Sequence, residues 1–190
     1  MVRSATEDER PTLHHVVTLA FATDPLARWT VPGSTDYFIS MPMVVDAVGC
    51  GGLPHGTAYV VDNLAGAALW LPPGVEPDGE RTAALTEAYV HPDVKEEFAA
   101  VLEEMGRYHP EEPHWYLPMI AVDPAVQGRG YGAALMRHAV QRFDRDGAIA
   151  YLESTNPRNI SLYERHGFEI LATIQIGRSP PVTPMLRMPK

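Results

Sequence analysis

Apolar positions first recur at helical spacing across residues 8–22, where Leu13, Val16, Val17, Ala20 and Phe21 make one stripe. Pro11 is tolerable there because it falls in the first turn. Residues 2–5 ahead of it read as a short strand. Asp24-Pro25 stops the helix, and residues 26–29 add a turn. A second apolar helix is expected over 35–50, divided or kinked at Pro42. Residues 57–62 and 65–71 read as a hairpin around Asn63-Leu64. A polar loop rich in proline and glycine runs from 72 to 79. Helices are then expected over 81–90 and 93–107, with Glu96, Glu97, Glu103 and Glu104 on a solvated face.

The run Trp115–Val122 is apolar throughout and reads as a buried strand. Pro118 is awkward inside it, because proline donates nothing to a ladder and sits in strands mainly at bulges. A turn at Asp123-Pro124 leads to Gln127-Gly128-Arg129-Gly130-Tyr131-Gly132, and an amphipathic helix carrying Leu135, Ala139 and Phe143 follows. Residues 148–153 form the next strand and 158–166 a short helix, started by Pro157 and ended by Gly167. Residues 168–176 and 183–188 read as a closing hairpin.

Strand, glycine loop and helix make an anion cradle. Glycine admits positive φ and removes the side chains that hold a ligand off. The first helical N–H groups lack partners and the dipole there favours negative charge, so a phosphate or pyrophosphate is the expected guest. Gly128 to Ala133 also satisfies a loosened dinucleotide fingerprint, with Glu153 about 20 residues on. Five residues separate Val122 from Gly128, however, and too little chain follows Glu153 to complete a doubly wound sheet.

A second pattern joins the first. Gln127 to Gly132 fits Gln/Arg-x-x-Gly-x-Gly/Ala, and 156–168 contains Asn156-Pro157-Arg158-Asn159, Leu162-Tyr163-Glu164-Arg165 and Gly167-Phe168. Together, in this order, they resemble the GNAT superfamily of N-acetyltransferases, and within it the branch that contains puromycin N-acetyltransferase. The resemblance covers the chain from His114 onward.

It implies one α/β (α+β) domain over 1–190, with a mixed, mostly antiparallel sheet, a splayed parallel strand pair and flanking helices. Residues 1–110 would form the acceptor side, and 111–190 the acetyl-CoA-binding half with the closing hairpin. Pro118 then marks the bulge that splays the pair. Backbone groups of Ile120, Ala121 and Val122 would meet the pantetheine arm. Gln127, Gly128, Arg129, Gly130, Tyr131, Gly132 and Ala133 would hold the pyrophosphate, and Asn159 would contact the cofactor's bend. Tyr163 falls at the position of the acid that protonates the leaving thiolate. Glu153 is the candidate base, or else a carboxylate that orders the loop or binds the amine; Asp24 and Asp36 are weaker candidates for recognising a cation. Aromatics near the acceptor side, such as Trp29, Tyr37 and Phe38, are as readily core as pocket.

The implied reaction is acetyl transfer from acetyl-CoA directly to a small-molecule amine, with a non-catalytic CoA-binding module or a nicotinamide oxidoreductase as alternatives. Net charge is −9, which disfavours nucleic acid, draws a cationic amine and makes local basic groups necessary for CoA. Arg129 is the first choice, with Arg158 or Arg165 as others. The single cysteine, Cys50, allows no internal disulfide and no motif places a histidine near it. His14 and His15 are adjacent on a helix, so they do not share a face as metal ligands would, and no metal is expected. No signal-peptide core or uninterrupted membrane-length apolar stretch stands out, so a cytoplasmic monomer or homodimer without membrane partners is the expectation.

Overall fold

One proline sets the geometry of the central strand. The computed structural model describes residues 1–190, and strand β4 (Trp115–Val122) lies at the middle of a seven-stranded sheet. On one side β4 pairs antiparallel with β3 (Gly66–Leu71). Leu69 faces Met119 and Leu71 faces Tyr116, so one extra residue of β4 is bulged out at Leu117-Pro118. The bulge switches the pleat. Trp115 and Leu117 point to one face of the sheet, whereas Met119 and Ala121 point to the other.

On its other side β4 pairs in parallel with β5 (Ala150–Ser154), from Trp115↔Ala150 to Leu117↔Leu152. The pairing stops where proline arrives, and the two strands diverge into a slot. The expected mixed sheet with one splayed parallel pair is therefore present, and Pro118 marks it.

The remaining strands are β1 (Val2–Ser4), β2 (Ala58–Val61), β6 (Glu169–Ile170) and β7 (Thr183–Arg187), in the order β1-β2-β3-β4-β5-β7-β6. The turn joining β2 to β3 holds Asp62, Asn63 and Leu64 at positive φ. The closing hairpin is shorter than its apolar pattern suggested. Leu171 N–H still donates to the Pro184 carbonyl, but Pro184 has no N–H to return, and the ladder breaks there.

Helices cover both faces. Helix α6 (Tyr131–Asp146) lays Leu135, Met136, Ala139 and Phe143 against Trp70, Trp115, Leu117 and Leu152. The opposite face receives α1 (Arg10–Ala20) through Leu13 and Val17, and α3 (Ser34–Gly49) through Tyr37, Met41 and Val45. Helix α3 is continuous through Pro42 instead of divided by it. With the turn that follows it spans 34–55, long and apolar enough by composition to cross a membrane, contrary to the sequence reading. Half of that stretch is buried inside the protein, as befits a core helix. Helices α2 (Pro25–Thr30), α4 (Gly79–Tyr89), α5 (Lys95–Tyr108) and α7 (Ile160–Glu164) complete the fold.

Candidate functional site

The glycine loop closes one wall of the slot between β4 and β5. Asp123 caps the turn after β4 by accepting from Ala125 N–H, and Gln127 Nε2 donates to the Val122 carbonyl, tying the loop back to the strand. Gly128 (φ +77°) and Gly130 (φ +82°) then take left-handed conformations that side chains resist. A Cβ added at either glycine would meet nothing within 4 Å, so both face open space. No side chain caps α6, and the first helical bond of this turn runs from Ala134 N–H to the Gly130 carbonyl. The amides ahead of Ala134 are left pointing outward, where the dipole favours an anion.

A cleft of about 520 Å³ opens in front of these amides. Of the sequence-predicted residues, Ile120, Ala121, Val122, Gln127, Gly128, Gly130, Tyr131, Gly132, Ala133 and Asn159 all line it. Beyond Leu117 the β5-facing edge of β4 has no strand partner. Arg129 is exposed and lies outside the lining. The basic groups on the wall are Arg158 and Arg165, and neither takes part in an ion pair. The donors are the backbone amides, the amide side chain of Asn159 and two guanidinium groups, a set matched to a pyrophosphate.

Asp24, a lesser candidate in the sequence, also lines the cleft. It sits at the N-terminus of α2 and accepts from Leu26 N–H and Ala27 N–H at 3.0 Å each. Its other oxygen accepts from the Thr155 hydroxyl at 2.7 Å, which joins the α1–α2 corner to the end of β5. Burial raises its pKa against these hydrogen bonds. Asp36 is exposed at the start of α3, outside the cleft.

Tyr163 is 5% exposed on α7, with its ring against Phe168, and it belongs to the core behind the cleft and is not among the residues that line it. Burial pushes its pKa well above the ordinary phenol value, and the nearby Asp24 charge adds to the rise, so the phenol stays protonated. Glu153 does not line the cleft. Its side chain is buried on the sheet face opposite α6, beside Tyr116, Tyr151 and His109.

The structure also corrects the expectation that Cys50 has no histidine near it. Packing of α1 on α3 places His14 Nε2 3.8 Å from Cys50 Sγ and 3.2 Å from Asp46 Oδ1. These three side chains are close enough to hold a metal ion. Arg10 and Arg81 each bond a separate oxygen of Asp46, however, which spends its charge. Cys50 is 1% exposed, and burial pushes its pKa up to about 11. The same His14 nitrogen faces both the thiol and the carboxylate, so no relay from Asp46 through the ring to sulfur exists here.

Residues 95–168 match the model of the acetyltransferase (GNAT) family. The chain is 27% identical over 157 residues to an uncharacterized N-acetyltransferase of Schizosaccharomyces pombe, covering 72% of this chain and 61% of that protein. It is 33% identical over 137 residues to a mycothiol acetyltransferase of Mycolicibacterium gilvum, covering 63% of this chain and 44% of the other. The chain thus spans less than two thirds of these curated relatives. Among solved structures, a histone acetyltransferase and related acetyltransferase from Corynebacterium glutamicum superposes at a TM-score of 0.70 with 27% identity, covering 100% of this chain and 96% of that one. A polyamine N-acetyltransferase of Drosophila melanogaster shares the fold at a TM-score of 0.66 and 18% identity, with 99% of both chains covered.

Proposed function

We propose that this chain is a member of the GNAT superfamily, whose family model matches residues 95–168, and that it is an N-acetyltransferase moving an acetyl group from acetyl-CoA directly to the amine of a small molecule. The observation that carries this reading is the uncapped, glycine-opened start of α6 facing the slot between β4 and β5. The amides from Gly128 to Ala133 would hold the pyrophosphate, with Arg158 and Arg165 neutralising it. The free edge of β4 at Ile120 and Val122 would align the pantetheine arm, whereas Ala121 turns its backbone groups to β3. The Val122 carbonyl is already bonded to Gln127, so its share in that alignment falls to its N–H. Asn159 borders the bend.

Bound there, acetyl-CoA supplies an acetyl group activated as a thioester. Tyr163 is buried behind the cleft lining next to Leu162, and it would deliver its proton to the departing sulfur from there. The carboxyl groups of Asp24 and Glu153 are the ones we assign to the acceptor side of the slot, where a cationic amine must be bound and relieved of a proton before it attacks. The acceptor class we favour is a small primary amine, aminonucleoside-like as the motif branch suggests. A panel of amines that includes puromycin and a polyamine tests it. Calorimetry gives the prior check: acetyl-CoA should bind and NADH should not. The reverse result would restore the oxidoreductase reading.

Direct transfer has a second consequence. Cys50 is buried with its thiol held protonated, so no acetyl-cysteine forms. Cys50→Ala should leave kcat unchanged and cost about 1 kcal/mol of stability for the lost packing. A burst of protein-bound acetyl that disappears in the variant would establish a two-step mechanism instead.

A further inference from the structure

A row of titratable side chains on the acceptor side of the slot leads away from it to the surface. β5 loses its β4 partner after Leu152, so Glu153 is the first residue on the opened edge. Its side chain is 6% exposed, and its Oε1 lies 3.6 Å from Nδ1 of His109, which follows the end of α5. Nε2 of His109 lies 3.0 Å from Nε2 of His114. Nδ1 of His114 lies 2.8 Å from the Glu112 carbonyl oxygen. His114 also lines a surface pocket of about 200 Å³ together with Glu76, Glu111, Glu112 and Tyr116.

Counting hydrogens along this row fixes what it does. Both ends, the Glu112 carbonyl and an ionised Glu153 carboxylate, only accept. Two of the three contacts are hydrogen bonds as they stand, and two neutral imidazoles satisfy both. Once the 3.6 Å gap between Glu153 and His109 closes, three contacts need three hydrogens, and two neutral imidazoles carry only two. With both rings neutral, one contact is then without its hydrogen. One added proton completes all three, whether it sits on His114, His109 or Glu153.

We propose that Glu153, His109 and His114 form a proton relay that takes one proton from the acceptor's ammonium group and passes it to solvent. The inference rests on the amine-acetylation reading. An ammonium N–H bond breaks and a Glu153 O–H bond forms, leaving the amine's lone pair free. The Glu153 proton moves to His109 Nδ1, the His109 Nε2 proton moves to His114 Nε2, and His114 releases one to water. A second proton leaves the nitrogen on acylation and ends on sulfur by way of Tyr163.

The Glu153–His109 separation is about half an ångström beyond a hydrogen bond, a gap of the kind that closes when substrate binds. The surroundings offer the proton no rival base at close range. Rings of Tyr116 and Tyr151 pack on His109 at 5.0 and 4.8 Å. Burial, with the Glu153 charge added, keeps both phenols protonated. Glu76 from the loop before α4, and Glu111 and Glu112 from the loop before β4, border the outer end. The Tyr151 hydroxyl is buried without a partner, an unspent donor next to Glu153.

A packing latch between α5 and β5 is the rival, and pH separates the two. With the full-length chain, acetyl-CoA and a primary amine that it turns over, His109→Gln and His114→Gln should lower kcat/KM for the amine at neutral pH by about tenfold or more. The acetyl-CoA KM should not move. The defect should shrink as pH rises, because the amine then arrives deprotonated, and added imidazole should restore part of the rate. A loss equal at every pH, or no loss, overturns the relay. A second readout needs no turnover: nitrogen-15 spectra of the free protein should show the two rings titrating as a coupled pair, both altered by Glu153→Gln. Independent titration overturns the relay even if acetylation is found. A wild-type chain that turns over no amine overturns the functional reading and the relay with it.

Discussion

Tyr163→Phe should lower kcat by about 10² to 10⁴ while acetyl-CoA affinity changes far less. The substitution keeps the ring that packs on Phe168 and removes only the hydroxyl, so the core around α7 is retained. An ordinary thiol has a pKa near 8.5 and a phenol about 10. Burial and the Asp24 charge raise the Tyr163 value further. That guarantees the proton is present at any working pH, and it also costs driving force for giving it up. A loss of kcat alone therefore does not separate proton delivery from positioning of the thioester. The separating comparison uses an acyl donor with a more acidic thiol, whose thiolate departs unaided. The defect should shrink with that donor. An equal defect with both donors would make Tyr163 a positioning residue, and full activity in the variant would mean that water protonates the sulfur.

Gly130→Val should weaken acetyl-CoA binding by about a hundredfold or more. Two effects act in one direction. Gly130 sits at φ +82° immediately before α6, and a β-branched residue there costs about 1–3 kcal/mol of strain or tilts the outward-facing amides away. The new side chain meets no protein atom within 4 Å, so it would stand in the open space that the phosphates need. Each 1.4 kcal/mol is a factor of ten, which makes the hundredfold figure a modest sum of the two. Calorimetry checks it, with circular dichroism to show that α6 persists. Unchanged affinity would remove the loop from the cofactor site.

What was legible in the sequence follows the range of the interactions involved. The bounds of β4, the bulge at Pro118 and the glycine-opened start of α6 are local consequences of apolar run, missing N–H and glycine, and all three are present in the fold. Choices between distant side chains were not legible. Arg129 belongs to the motif, yet the loop turns it out to solvent, and Arg158 and Arg165 reach the cleft from the segment around α7. Asp24 looked like a helix breaker and is one, but its second oxygen bonds Thr155, 131 positions away. The nearness of His14 to Cys50 depends on how α1 crosses α3, which no spacing rule encodes. Glu153 was singled out for its place at a strand end, but its contacts with His109 depend on where α5 delivers the loop before β4. The pair His109 and His114 carried only a weak signal, two histidines five residues apart flanking prolines ahead of a buried strand.

The measurement that bears most directly on the whole account is thiol release from acetyl-CoA by the wild-type chain against a panel of primary amines, with the acetylated amine quantified alongside. The account predicts saturable, amine-dependent release, with one acetylamine formed per thiol and none formed without an amine. Tight acetyl-CoA binding with no amine-dependent release across the panel would contradict it, and would leave the chain as a CoA-binding module.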